Sequence, residues 1–187
     1  MTPGEAGNDS PSEPHGRAAV ITVSTRAASG IYPDEAGPAL VERLRTGGFT
    51  VDAPTVIPDG RGRVADAILQ ACRRADVVVT TGGTGLHPND HTPEGTLDVV
   101  ERLVPGLAEA MRAAALEATP MGMLSRGVAG ICRGTLVLNL PGSPRGAVEN
   151  LAAVEVVLPH ALYQLAGGDH HRGGHQHADD DGRGGSG

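Results

Sequence analysis

The sequence predicts an α/β fold, a three-layer sandwich around a mostly parallel sheet, and three observations predict it. Short apolar runs alternate with segments of helical period along the chain. The run Asp76-Val77-Val78-Val79-Thr80-Thr81 is apolar on both faces, as a central parallel strand requires. Polar or glycine-rich turns follow four of the strand-like runs, the arrangement that lines up loops along one sheet edge.

Taken in order, Ala18-Ala19-Val20-Ile21-Thr22-Val23 reads as a buried strand. Asp34 and Pro38 precede a helix carrying Ala39, Leu40 and Leu44, which closes at Gly47-Gly48. Phe49 to Ile57 reads as a second strand. Val64, Ala67, Ile68, Ala71 and Cys72 share one face of a second helix. After the strand at Asp76–Thr81, Thr92 reads as an N-cap and Pro93 as the first residue of a helix, with Leu97, Val100, Leu103 and Val104 as its apolar positions. A helix follows Pro105-Gly106 and carries Leu107, Met111, Ala114 and Ala115. Thr135 to Leu140 is a strand, and a last helix runs through Ala147, Leu151, Val154, Leu158, Leu162 and Leu165, kinked at Pro159. Residues 1–16 and 167–187 have no periodic apolar pattern and read as disordered extensions, leaving 17–166 as the folded domain. In the second extension His170, His171, His175 and His177 suit either loose divalent-metal binding or plain solvation.

Composition narrows the chemistry. Among 187 residues aromatics make up 2%, so the core is built from Ala, Val, Leu and Ile, and stacking platforms for bases are missing. The formal net charge of -7 leaves no broad basic face for a nucleic-acid backbone. Any phosphate site is therefore local. Cys72 and Cys132 are too few for a disulfide framework or a four-cysteine zinc site and read as buried free thiols. No run reaches the roughly 18 apolar residues of a membrane helix, and no basic segment followed by an apolar stretch opens the chain. A cytoplasmic protein that binds no membrane is expected.

The candidate chemistry gathers in the turns. Ser24-Thr25-Arg26, Pro58-Asp59-Gly60, Gly82-Gly83-Thr84-Gly85 and Pro141-Gly142-Ser143-Pro144 each follow a strand, so they meet at one edge. The Gly82–Gly85 turn reads either as a nest of backbone N–H groups facing an anion or as a tight turn without a ligand. It is neither a P-loop nor a dinucleotide fingerprint, since no Gly-Lys-Ser/Thr follows and position 88 is Pro. Asp59 and Asp90 are the carboxylate candidates for holding Mg2+ against a triphosphate, each with a simple turn role as the alternative. His87 and His91 lie among Pro88 and Pro93 and do not share a helical face, so they make no zinc pair. Arg126, beside Ser125, offers a planar fork to phosphate or an ion pair to a carboxylate. Ser143 reads as a helix cap or a ligand contact. Glu94, Glu101 and Glu109 read as helix-surface acids. The set suits phosphoryl-group handling by positioning, and no catalytic triad is arguable from it.

At this point the residues resemble a known family. Thr80-Thr81-Gly82-Gly83-Thr84-Gly85, then Asp90, Thr92-Pro93-Glu94 and Thr96, are similar to the signature of the molybdenum-cofactor biosynthesis family. Ser24-Thr25-Arg26, Pro58-Asp59, Pro105-Gly106 with Met111-Arg112, Leu124-Ser125-Arg126 and Leu138-Asn139-Leu140-Pro141-Gly142-Ser143-Pro144 agree in order. The similarity looks greatest to the branch of molybdopterin adenylyltransferases, related to bacterial Mog proteins and the gephyrin G domain. The resemblance implies the molybdopterin-binding fold, usually as a homotrimer. It also implies Mg2+-dependent transfer of AMP from ATP to the terminal phosphate of molybdopterin, with release of pyrophosphate. The product would pass to a molybdate-inserting enzyme.

Carried over by position, Asp59 and Asp90 match the essential acids and are assigned to metal placement and catalysis. Gly82, Gly83, Thr84 and Gly85 match the phosphate-proximal loop. Ser125, Pro141, Gly142 and Ser143 match segments lining the substrate pockets. Three positions depart from the pattern: Asn89 stands where many members have Arg, Thr25 where Ser-Asp-Arg is common, and Gly95 where Ala is found. A paralogue that binds molybdopterin without adenylylating it is the second reading. The related domain of the molybdate-inserting enzyme, normally part of a much longer chain, is the third.

Overall fold

The computed structural model describes residues 14–168. The expectations of disordered ends and of a metal-binding histidine tail fall outside the described residues, apart from positions 14–16 and 167–168. Strand β1 (Gly16–Val23) already begins at Gly16, and the His15 ring packs edge-on against Phe49.

Apolar, largely β-branched runs supply the middle of the sheet. In β4 (Val77–Thr81), every residue is buried, with Val77 and Val79 facing one helical layer and Val78 the other. It pairs in parallel with β1 on one side and with β7 (Thr135–Leu140) on the other. Beyond β1 lie β2 (Phe49–Val51) and β3 (Thr55–Ile57), both parallel to it. Beyond β7 come β6 (Ala129–Cys132) and β5 (Arg102–Leu103), both antiparallel to their neighbours. The seven-stranded sheet is thus mostly parallel with an antiparallel flank.

Helices cover both faces, as the sequence predicts. One core joins Val20, Val79 and Leu138 to α2 (Ala36–Thr46), α5 (Pro105–Ala118), α6 (Pro144–Glu155) and α7 (Leu158–Leu165). The other joins Ile21, Val78 and Val137 to α3 (Arg61–Ala71). Both cysteines are free thiols in this second core, and burial, with Cys132 alongside, pushes the Cys72 thiol up to about 12.

Four expectations change, each for a local reason. The predicted strand Phe49–Ile57 is two strands, because the chain leaves the ladder at Asp52–Pro54 and proline has no N–H to donate there. The helix opened by Thr92 ends early: α4 is Thr92–Leu97, and Leu103 sits on the edge strand. The Glu101 and Val104 N–H groups bond to Ile131 and Ala129 across the sheet, and Pro105 disfavours a helical Val104. The last helix is two helices, because the Pro159 ring would clash with the carbonyl of Glu155, where α6 stops. Strand β6 is new, and a two-residue turn with Arg133 at φ +53° joins it to β7. The Gly95 departure also has a reason. A Cβ there would sit 2.5 Å from the Arg61 carbonyl, so α4 packs against α3 only with glycine.

Because β1, β3, β4 and β7 are parallel, their carboxyl ends open onto one edge, and the turns singled out above meet there.

Candidate active site

The first turn leaves β1 into α1 (Thr25–Ala28), with Ser24 as cap: its hydroxyl accepts the Ala27 N–H at 3.2 Å. The Ser24 N–H donates to the Ile57 carbonyl, which fixes the end of β1 beside the end of β3. Asp59 follows β3 by two residues and meets Thr25. Its Oδ2 accepts the Thr25 N–H at 2.8 Å and the Thr25 hydroxyl at 2.6 Å. The Asp59 N–H returns a bond to Thr25 Oγ1 at 3.1 Å.

The second turn leaves β4. Gly82 and Gly83 have φ of +95° and +64°, the left-handed region that glycine adopts without a Cβ penalty. A Cβ on Gly82 would lie 2.3 Å from the Val23 carbonyl oxygen. The turn rests on a buried polar chain. Thr92 is not the expected helix cap, a position that His91 takes: it donates its hydroxyl to the Gly82 carbonyl at 2.8 Å, and Thr96 donates to the Thr92 carbonyl at 2.8 Å. Asn139 on β7 donates to the hydroxyl oxygens of Thr80 and Thr96, each at 2.9 Å. Its Oδ1 accepts the Val128 N–H at 3.3 Å. The Gly82 N–H is used by the Leu140 carbonyl, so the nest of the sequence reading loses its first donor. The N–H groups of Gly83, Thr84 and Gly85 make no hydrogen bond among the described residues and remain available to an anion.

Arg126 braces this loop from beneath. Its guanidinium donates to the Gly85 carbonyl at 2.7 Å and the Asp90 carbonyl at 2.6 Å, and pairs with Glu94. The fork that the sequence offers to phosphate is therefore spent inside the protein. Glu94, expected to be a surface acid, is half-buried, and its Oε2 is buried without a partner among the described residues. Burial is the largest single influence and works to raise its carboxyl, but the hydrogen bonds from Arg126 and from its own backbone, with the Arg126 charge, together outweigh it and hold the group below the usual carboxylate range.

Two cavities adjoin at this edge. The larger, about 650 Å³, is lined by Thr25, Arg26, Asp59, Gly82 and His87 among others. The smaller, about 430 Å³, is lined by Thr84, Gly85, Ser125, Pro141 and Ser143, with apolar Met121 and Leu124. Gly83, Asp90 and Gly142 line both. Asp59, Asp90, the Gly82–Gly85 turn, Ser125, Pro141, Gly142 and Ser143 thus border one cavity or the other, whereas Arg126 borders neither. Asp34 also borders the larger one, but its oxygens are taken by the Thr22 hydroxyl and the Gly37 N–H. Asp59 and Asp90 each keep an oxygen, Oδ1, with no hydrogen bond among the described residues, while Asp90 Oδ2 accepts the His87 N–H at 3.3 Å. Ser143 caps α6, accepting the Gly146 N–H at 3.3 Å, and the N-terminus of that helix faces the smaller cavity. Sequence reasoning missed the supporting roles of Thr92, Thr96 and Asn139, and of the two readings of Arg126 the ion pair is the one realised, with Glu94 as its partner. The signal available was a polar side chain inside an apolar strand, as at Thr80 and Asn139.

Comparison with known proteins agrees with this geometry. The family described as "Probable molybdopterin binding domain" matches residues 19–160. The chain is 38% identical over 154 residues to a molybdenum cofactor biosynthesis bifunctional protein of Synechococcus elongatus, covering 82% of this chain and 48% of that one. It thus spans about half the length of that relative. It is 36% identical over 154 residues to a molybdopterin adenylyltransferase of Helicobacter pylori, covering 79% of this chain and 86% of the relative. The solved structure of the molybdopterin biosynthesis Mog protein from Mycobacterium ulcerans is 44% identical and superposes with a TM-score of 0.75 over 80% of this chain and 98% of its own. Since the match takes in both cavities and every turn that lines them, the chain belongs to the probable molybdopterin binding domain family.

Proposed function

We propose that this protein is a molybdopterin adenylyltransferase, moving AMP from ATP to the terminal phosphate of molybdopterin and releasing pyrophosphate. One observation carries the reading: an acidic cavity and an amide-lined, partly apolar cavity share a rim at Gly83, Asp90 and Gly142. Two phosphorylated molecules, one in each cavity, meet at that rim. An oxygen of the pterin phosphate attacks the α-phosphorus of ATP. A new P–O bond forms there, and the bond to the bridging oxygen of the β-phosphate breaks. The attacking phosphate is already ionised at neutral pH, so the site needs no general base.

The protein's part is orientation and charge. The free N–H groups of Gly83, Thr84 and Gly85 hold anionic oxygens at the rim. Arg26 brings a guanidinium to the larger cavity, where position 89 is Asn and not the Arg that the family resemblance implies. Bare carboxylates beside a polyphosphate would repel it. The unbonded oxygens of Asp59 and Asp90 are hard donors that suit Mg2+, and these two residues would hold it. When bound, Mg2+ offsets the charge that builds between the two anions.

A homotrimer fits this reading, and exposed Leu116, Met121, Met123 and Leu124 beside the smaller cavity are apolar surface available to it. Hand-off of the adenylylated pterin to a molybdate-inserting enzyme and a cytoplasmic location belong to the same proposal. Among the described residues no helix is long and apolar enough to cross a membrane. The test is incubation with ATP, Mg2+ and molybdopterin, following pyrophosphate. Release that depends on molybdopterin is the expected result. Pterin retained without release would overturn transfer and select the binding-only reading.

A further inference from the structure

Asp59 is held in an unusual way for a group offered to a cation. Both hydrogen bonds from Thr25, 2.8 Å from the N–H and 2.6 Å from the hydroxyl, fall on the same oxygen, Oδ2. The hydroxyl completes a ring by accepting the Asp59 N–H at 3.1 Å. The carboxylate and N–H of Asp59 are thus fixed by Thr25, and its carbonyl by the Arg63 guanidinium at 2.9 Å, while Oδ1 makes no hydrogen bond among the described residues. Both residues line the larger cavity. Two donors occupy the lone pairs of Oδ2, and Oδ1 is left as the oxygen open to a ligand.

We propose that Thr25 is a positioning residue, which locks the Asp59 carboxylate so that only Oδ1 faces the cation and substrate. This rests on the transferase reading above. The hydroxyl does what a carboxylate at position 25 would not. It donates a hydrogen bond to Asp59, where a second negative charge would push the group away. Without it Asp59 is free to turn, and both oxygens compete for the same ligand. Partners of this kind, which orient a ligand without touching the metal, typically set affinity or rate by about 10–100-fold.

The test compares wild type, Thr25→Ala and Thr25→Ser. Alanine removes the hydroxyl and keeps the backbone N–H, and serine restores the hydroxyl. Two readouts are taken: the rate of pyrophosphate release against Mg2+ concentration, and the Asp59 orientation in crystals of each variant without substrates. The expected result is about a 10–100-fold loss for alanine with a raised Mg2+ requirement and a turned or doubly oriented carboxylate. Serine is expected to return both to the wild-type values. A rate within twofold of wild type for alanine, or an unmoved Asp59 carboxylate in its crystals, would overturn the role of Thr25. A wild-type protein that released no pyrophosphate would overturn the transferase reading instead, and the crystals would still decide whether Thr25 sets the orientation of Asp59.

Discussion

On the β4 side of the larger cavity, the Gly82–Asp90 loop stands on a buried polar chain from Asn139 through Thr96 to Thr92, with Arg126 bracing it below. On the β1 side, the Asp59 carboxylate is held by one exposed neighbour, Thr25. The same cavity therefore has a rim built into the core and a rim assembled at the surface. The lesson is about where a substitution is felt. Inside the core a lost partner leaves another group desolvated and unpaired, whereas at the surface water takes its place.

The largest effect is expected at the carboxylates themselves. Asp59→Asn and Asp90→Asn should each reduce molybdopterin-dependent pyrophosphate release by at least about 100-fold. The urea unfolding midpoint of both should stay near wild type. Near-normal turnover in either variant would remove that residue from the site.

Next comes the buried support. Asn139→Leu leaves the Val128 N–H without its partner and takes the amide donor from the Thr80 and Thr96 hydroxyl oxygens, and is expected to lower stability by about 1–3 kcal/mol. The measurement is the urea midpoint at unchanged slope. An equal loss in Thr25→Ala would erase the contrast between the two rims.

Gly95→Ala sharpens the same point with opposed signs. Helix propensity favours alanine by about 1 kcal/mol. The contact at 2.5 Å from the Arg61 carbonyl opposes it, and net destabilisation is expected by thermal melting. A stabilised variant would mean that α4 is free to move away from α3.

The smallest effect is a change with pH. The Glu94 carboxyl is held below its ordinary range, so it binds fewer protons in the folded chain than in the unfolded one near that range. Its contribution is present above the unfolded value of about 4.3 and is lost as pH falls through the lower folded value. Urea midpoints of wild type and Arg126→Gln should therefore differ at pH 6 and converge towards pH 3. A constant gap across that span would show that Arg126 acts through the Gly85 and Asp90 carbonyls alone.

The parts of this site that local chemistry writes were legible in the chain. Asp59, the Gly82–Gly85 turn, Asp90 and the Pro141–Ser143 turn each follow a strand, and parallel strands deliver their ends to one edge whatever the details of packing. Arg126 was less legible. Its two possible partners, phosphate or carboxylate, have the same charge, and only the position of Glu94 and the loop carbonyls separates them. Strand β6 was hidden by its shortness and by an arginine at a turn position where Asn, Asp or Gly would have announced a hairpin.

The order of residues by itself determined the layered α/β class, the turns that carry the chemistry, and glycine at Gly82 and Gly83. Each follows from periodicity or backbone sterics within a few residues. Tertiary structure alone decided that Thr25 closes on Asp59 across 34 positions, that Asn139 reaches Thr96, and that Arg126 serves the fold. A side-chain hydrogen bond depends on distances of a few tenths of an ångström between segments far apart in the chain, and only the packed core sets those distances.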